Sequence, residues 1–350
     1  MEMNENMQKL LVSMLEDGVK QGCFPGGVAA VGRGDEVLAV GCAGTLCIDG
    51  PAVNLDTRYD LASLSKVLGP TMIALKMIEN GRLALYDTIG DFIPDAPADK
   101  KDISIFQLMT HTAGFNPAFW LEKLCETPAD ILNVLMEKPL DYAPGGGPAY
   151  SCMGYITLTK LLEKIGGKPL NELAQEMVFG PLQMTSTCYC PSGDNIAATE
   201  VDPETGKAWV GVVHDENARF QGGVSGNAGV FSNIGDMIRF CTMLACGGKD
   251  FLTSAMLAKA TRCYTPGKDS HRGLGFHLAG TECNYLGDLM PDCSFGHTGF
   301  TGTSFGVDPT TGYYVILLTN RVHPSRDNIS QGQFRRRFHN AMYAQFCREK

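Results

Sequence analysis

No stretch of this sequence approaches the roughly 20 consecutive apolar residues that a membrane-spanning helix needs. The opening stretch "MEMNENMQKLLVSMLEDGVKQG" also lacks a secretory core: its apolar run around residues 10–15 is broken by Ser13 and closed by Glu16 and Asp17. The chain is therefore expected to be cytoplasmic. Positive charge is in short supply. Lys and Arg number 29 against 38 Asp and Glu, for a formal net charge of -9, which disfavours nucleic acid and anionic lipid as partners. The one basic cluster, "RRR" at 335–337, falls in an amphipathic pattern and reads as a solvated helix face. Ordered cysteine spacing is missing as well. The 13 cysteines follow no repeat and read as reduced thiols packed as small apolar residues. Cys188-x-Cys190 is the one tight pair and has no second pair at zinc-site spacing, so no metal is implied. There is no internal repeat and no low-complexity tract.

What is present is an ordinary globular composition. The 350 residues are 44% hydrophobic and 19% charged, enough for one large domain or two interleaved ones. Residues 4–21 have helical periodicity and end at Gly22. Two Val/Ala-rich runs then flank "RGDE", which reads as a β-hairpin. "SKVLGPTMIALKMIENGRL" is a strong helix stopped by Gly81, with Pro70 in its first two turns. From about 82 to 200 the pattern is short helices in Pro/Gly-rich loops, with no convincing strand. Beyond about 205 come a helix, three strand-like segments ("GLGFHLAG", "SFGHTGFTGTSFGVDP", "GYYVILLTN") and a closing helix, "QGQFRRRFHNAMYAQFC". Sheet-forming pieces thus lie at both ends of the chain, around a helical block. The expected fold is α/β of the α+β type, an antiparallel sheet flanked by N- and C-terminal helices. The sheet unit would comprise residues 1–80 and 205–350, the helical insertion residues 81–204, with the site between them.

Three segments carry chemistry. In "DLASLSKVLGP", Ser63 and Lys66 are three apart and share a helix face, whereas Ser65 points away. A serine needs a base to act as a nucleophile, and lysine serves when its surroundings favour the neutral amine. The plain alternative is a helix N-cap at Ser63. "TLTK" at 157–160, in mid-helix, shows that the pattern alone does not discriminate. In "APGGGPAYSCMGY" a loop delivers Tyr150, a possible proton relay, and Ser151, a possible N-cap, just before a helix. In "FGHTGFTGTSFGVDP", Gly299 and Gly302 permit close approach to the backbone, and N–H groups on such a strand can hold an oxyanion. His297 begins that strand and could equally be a merely exposed side chain.

In this order the three segments resemble the signature of penicillin-recognising serine hydrolases, a set of motifs known for a related β-lactamase class. "DLASLSK", "FQLMTHTAGF", "PGGGPAYSCMGYITLTKLLE", "VHDENARFQGGVSGNAGVFSNIGDMIRF" and "FGHTGFTGTSFGVDPTTGYYVILLTNR" together resemble the class C β-lactamase-like branch over nearly the whole chain. That branch includes β-lactamases, DD-peptidases, D-aminopeptidases and carboxylesterases. The resemblance implies that Ser63 is acylated, with Lys66 and Tyr150 as base and proton relay. It implies an oxyanion hole from the N–H groups of Ser63 and Phe300, and substrate contacts from His297, Thr298, Gly299 and Cys152. No cofactor follows from it.

Two positions depart from the family's pattern. Cys152 stands where penicillin-binding members usually carry asparagine, and His297 where many carry lysine. Both weaken the expectation of β-lactam turnover. The expected function is a serine hydrolase of small esters, amides or short peptides. A muropeptide amidase, a true β-lactamase and a catalytically dead binding protein on the same scaffold are the alternatives. His214, Asp215 and Glu216 could in principle ligate a metal. With no partner motif, they read as loop residues near the cleft that contact substrate or satisfy each other.

Overall fold

The structure is a computed structural model that describes residues 4–281 and 284–348. Helix α1 (Glu5–Lys20) leads into the hairpin β1 (Gly26–Arg33) and β2 (Glu36–Gly44), then the short β3 (Tyr59–Asp60). A 3-10 turn at Ala62–Leu64 and a π-helical turn at Val67–Thr71 run into α2 (Met72–Glu79). Pro70 sits in that widened turn, where its missing N–H interrupts the regular ladder. Helices α3 (Ile89–Phe92), α4 (Ile105–Met109), α5 (Ile131–Glu137), α6 (Cys152–Gly166) and α7 (Leu170–Ala174) follow, then β4 (Cys188–Tyr189). The remainder is α8 (Glu216–Phe220), β5 (Val230–Ser232), α9 (Ile234–Ala245), α10 (Ser254–Ala260), β6 (His277–Leu278), β7 (Phe295–Thr298), β8 (Ser304–Asp308), β9 (Tyr313–Thr319) and α11 (Gln331–Arg348).

Six strands form one antiparallel sheet in the order β2-β1-β9-β8-β7-β6, so the first hairpin pairs with the last strand. This is the α+β arrangement expected from sheet-forming segments at both ends of the chain. Strand β9 shows why it holds. Tyr313, Val315 and Leu317 pack on one face, with Met7, Leu11, Leu15, Phe338 and Met342 of the two terminal helices. Tyr314, Ile316 and Leu318 pack on the other, with Met72, Leu75, Leu158 and Met237 of the inner helices. A strand buried on both faces needs a continuous apolar run, which "YYVILLT" supplies. The edge strand β2 is closed by a side chain rather than a strand. The Gln8 amide donates to Val40 O (2.8 Å) and accepts from Val40 N–H (3.0 Å), mimicking a peptide neighbour.

Two details differ from the sequence pattern. Strand β4 lies within the block where no strand was expected, and pairs with β5 in the small sheet β3-β5-β4. "GLGFHLAG" contributes only the two residues of β6. A two-residue strand has no alternation to detect. Twelve cysteines are free, and Cys283 lies outside the described residues. Among the described residues no helix is long and apolar enough to cross a membrane.

Leu317→Ala should cost about 2–5 kcal/mol of stability in urea unfolding, because it removes a buried side chain from the central strand. A loss within about 0.5 kcal/mol, the range of exposed substitutions, would contradict this packing.

Candidate active site

The small sheet sets up the nucleophile. Leu61 N–H bonds Val230 O (2.9 Å), and the next residue, Ala62, takes a left-handed φ of 47° that alanine rarely adopts. The Asp60 carboxylate fastens this turn by accepting from Ala62 N–H (2.8 Å) and from His214 N–H (2.7 Å). Burial pushes the Asp60 carboxyl up to about 6, against those two donors. The strain places Ser63 at the head of the helix, facing a cleft of about 480 Å³. Ser65 points elsewhere: its Oγ accepts from Val230 N–H (3.0 Å) in the core.

Lys66 is fully buried beneath Ser63. Its Nζ donates to Ser63 Oγ (3.3 Å), Cys152 Sγ (3.5 Å) and Asn227 O (2.9 Å). Burial works against the ammonium. The negative charge that Cys152 and Tyr150 acquire at alkaline pH, the adjoining Tyr150 hydroxyl and the more distant Asp215 carboxylate outweigh it, so the Lys66 pKa stands above the ordinary lysine value. Asn227, which the sequence does not single out, is held in turn by Ser225 and Asp215 (2.7 and 2.9 Å).

Tyr150 is presented by a loop clamped to one residue. His111 O accepts from Ala149 N–H (2.9 Å) and its Nδ1 accepts from Ser151 N–H (3.1 Å), so His111 grips the chain on both sides of Tyr150. The His111 ring lies 4.6 Å from the Tyr150 ring, and its backbone is left-handed (φ 58°). Ser151 caps α6 by accepting from Gly154 N–H (3.0 Å). The Tyr150 hydroxyl is buried beside Lys66 and Ser63 without completing a hydrogen bond among the described residues. Burial raises its pKa, and the Lys66 charge pulls part of that back.

Strand β7 forms the opposite wall. Thr301 Oγ1 donates to Asp60 O (2.7 Å) and Thr303 Oγ1 to Leu61 O (3.1 Å), which straps the strand end to the nucleophile turn. A Cβ on Gly299 would run into Leu61 O and Thr303 Oγ1, so this approach requires glycine. His297 is buried, not exposed, and lines the cleft with Thr298, Gly299 and Phe300. Its Nδ1–H donates to Thr298 O (2.9 Å), leaving Nε2 buried without a partner among the described residues. Burial, with Arg272 and Lys66 nearby, holds its pKa well below the ordinary histidine value, so it is neutral. The Phe300 N–H makes no hydrogen bond among the described residues.

Ser63, Tyr150, His297, Thr298, Gly299 and Phe300 therefore share one cleft, with Lys66 behind them. Cys152, expected against the substrate, instead has its thiol on Lys66 and is not among the residues of the cleft wall. His214, Asp215 and Glu216 have protein partners. His214 Nε2 is 2.9 Å from Glu200, Asp215 caps α8, and Glu216 bonds Arg326 (2.7 Å). Three further residues line the cleft: Arg272 and Arg321, which carry no signal in the sequence, and Arg335, which the sequence pattern places on a solvated helix face. Arg336 and Arg337 are exposed as expected, but Arg335 turns inward to the cleft. None of the three cleft arginines forms an ion pair among the described residues, and Arg272 and Arg335 each have a buried Nε without a partner.

A family model described as Beta-lactamase matches residues 11–339. An Escherichia coli protein named "Putative D-alanyl-D-alanine carboxypeptidase" is 31% identical over 302 residues, covering 76% of this chain and 70% of that protein. The solved structure of EstCE1, a hydrolase with promiscuous acyltransferase activity, superposes with a TM-score of 0.78 at 22% identity, covering 97% of this chain and 99% of the other. D-alanine carboxypeptidase AmpC from Burkholderia cenocepacia superposes with a TM-score of 0.75 at 19% identity, covering 95% and 98%. At those identities the two structures speak to the fold alone, but the family match spans every segment that builds the cleft. With its serine and lysine in contact on that fold, this chain belongs to the beta-lactamase family and is a serine hydrolase.

Proposed function

We propose that this protein is an acyl hydrolase of the carboxypeptidase type, acting on an amide or ester whose leaving side ends in a carboxylate. The observation that carries this reading is the trio Arg272, Arg321 and Arg335 opening on the same cleft as Ser63, without a protein carboxylate to neutralise them. Buried cations are normally paired, so a cationic cleft in a chain of net charge -9 calls for an anionic ligand. The E. coli relative's name points the same way. Phe300 and Ile329, 51% and 83% exposed at the rim, favour a second reading in which neutral apolar esters are also accepted.

In the proposed reaction Ser63 Oγ attacks the carbonyl, and its proton passes to the Lys66–Tyr150 pair. At neutral pH that pair carries an ammonium and a phenol. Loss of one proton leaves a base shared between Nζ and Oη, both next to Ser63. The N–H groups of Ser63 and Phe300 stabilise the oxyanion. As it collapses, the acyl C–N or C–O bond breaks and the Lys66–Tyr150 pair returns the proton taken from Ser63 to the leaving amine or alkoxide, with the neutral Nε2 of His297 accepting a hydrogen bond from the leaving group or the relay. Water then clears the acyl-enzyme. The cleft lies between the sheet unit (1–80 and 205–350) and the helical block (81–204). With the thiol at 152 turned to Lys66 in place of an asparagine amide, and a neutral imidazole at 297 in place of lysine, the cleft holds a β-lactam poorly, so β-lactam turnover is weak.

Ser63→Ala should abolish ester hydrolysis and fluorophosphonate labelling, with turnover falling by at least about 10³-fold. Labelling that persists would overturn the assignment. Arg272→Met should raise KM about 10–100-fold for a peptide with a free C-terminal carboxylate but leave KM for its methyl ester unchanged. Equal effects on both substrates would contradict the carboxylate reading. His111→Ala should lower kcat about tenfold or more with little change in KM, by releasing the backbone on either side of Tyr150. His111→Asn, which tolerates the left-handed backbone and keeps an acceptor, should recover part of it. A purely structural role would instead lower the melting temperature and leave kcat per folded molecule intact.

A further inference from the structure

The chain has only two tryptophans, Trp120 and Trp209, and both line a second cavity of about 430 Å³ that the proposed reaction does not use. Its size is that of a small-molecule site, roughly 300–1,000 Å³. It is also a built site, held together by named bonds. Asn217 Nδ2 donates to Phe119 O (2.7 Å) and its Oδ1 accepts from Leu121 N–H (2.9 Å), tying the Trp120 loop to α8. Trp209 N–H bonds Glu200 O (2.9 Å), which places that indole beside Glu200 on paired backbone. Arg326 closes the ring of contacts, with Nε on Glu200 Oε2 (2.8 Å) and a terminal nitrogen on Glu216 Oε1 (2.7 Å).

The chemistry of the walls selects a ligand class. Each indole already carries a cation on one side: Arg219 lies 4.3 Å from the Trp209 ring and Lys123 4.7 Å from the Trp120 ring. That disfavours a second cation over the other face. An anion would meet the Glu122 carboxylate, and the cations that could attract it are already engaged, Arg326 by Glu200 and Glu216 and Arg219 by the Trp209 ring. The remaining fit is a neutral ring with an apolar face for indole and a rim of hydroxyls for the carboxylate and guanidinium groups, whose spare acceptors and donors line the same walls. We propose that this cavity is a saccharide-binding subsite for a neutral pyranose, distinct from the hydrolytic cleft.

The two cavities have no lining residue in common but are joined through the supports of Phe300. The Phe300 ring stacks on His214 (5.5 Å), and Arg321 lies over it (4.5 Å). His214 reaches Glu200 (2.9 Å) and Arg321 reaches Arg326 O (3.2 Å), so both supports of Phe300 are anchored in residues of the sugar cavity. A glycan end bound there would extend a ligand whose acyl part lies at Ser63. The proposal stands whichever bond Ser63 cleaves.

Because both tryptophans report from this cavity, intrinsic fluorescence is a site-specific probe. Titrating the full chain with N,N′-diacetylchitobiose and with cellobiose should give a saturable change with a dissociation constant of about 1 mM for at least one of them. The same curve is expected in Ser63→Ala and in fluorophosphonate-blocked protein. Trp209→Ala should weaken binding about tenfold or more, read by saturation-transfer NMR of the sugar as well as by the remaining Trp120. Trp209→Phe should bind at an intermediate level, which separates lost stacking from a misfolded variant. Absence of any saturable change would overturn the proposal. So would loss of the sugar signal on blocking Ser63, or saturation by tetramethylammonium in place of the sugars.

Discussion

The site depends on one buried ammonium. Lys66 Nζ is spent on three acceptors from three parts of the chain: Ser63 Oγ one turn away, Cys152 Sγ at the start of α6, and Asn227 O beside β5. A charge removed from water is tolerated only where such partners replace the water. The nucleophile helix, the tyrosine loop and the small sheet are thereby held to one point. Burial keeps the Tyr150 phenol protonated and the His297 imidazole neutral; the Lys66 charge pulls the first part of the way back and, behind Arg272, reinforces the second. The site's acid–base character follows from that placement more than from any one residue's intrinsic chemistry.

Around this point the backbone is strained and strapped. Ala62 and His111 both take left-handed conformations, one before Ser63 and one against Tyr150. Each is over-determined by bonds on either side, which is the usual condition for strain to persist at a functional site. Thr301, Thr303 and Gly299 then fix the distance between the nucleophile turn and β7. The six-stranded sheet supplies the rigidity. Its central strand β9 is buried on both faces, and Thr319 at its end donates to Gly302 O (2.9 Å), supporting the loop that carries Phe300.

Much of this is legible in the sequence, for physical reasons. The terminal helices carry a period-3.6 pattern, β9 a continuous apolar run, and the hairpin at 26–44 two Val/Ala-rich runs around a turn, and all appear at the expected places. The three-residue spacing of Ser63 and Lys66 fixes their shared face, and Ser65 turns away as expected. What is not legible is what depends on distant segments meeting. Asn227 contributes a backbone carbonyl, which no side-chain pattern reveals. His111 matters through a backbone conformation and two clamping bonds. Arg272, Arg321 and Arg335 are scattered over more than sixty positions and converge only in three dimensions. The charge state of Lys66 escapes the sequence for the same reason, since it is set by neighbours remote along the chain.

The most direct test of this account is the pH dependence of Ser63 acylation by a fluorophosphonate or an activated ester. If Lys66 rests as an ammonium and the Lys66–Tyr150 pair must lose a proton before it can act as base, the rate rises with pH. Its ascending limb then lies on the alkaline side, still climbing at about pH 10, since neither group's pKa falls below its ordinary value. A rate that is already flat from about pH 6 upward would show a neutral lysine in the resting enzyme and would contradict a central role for the buried ammonium.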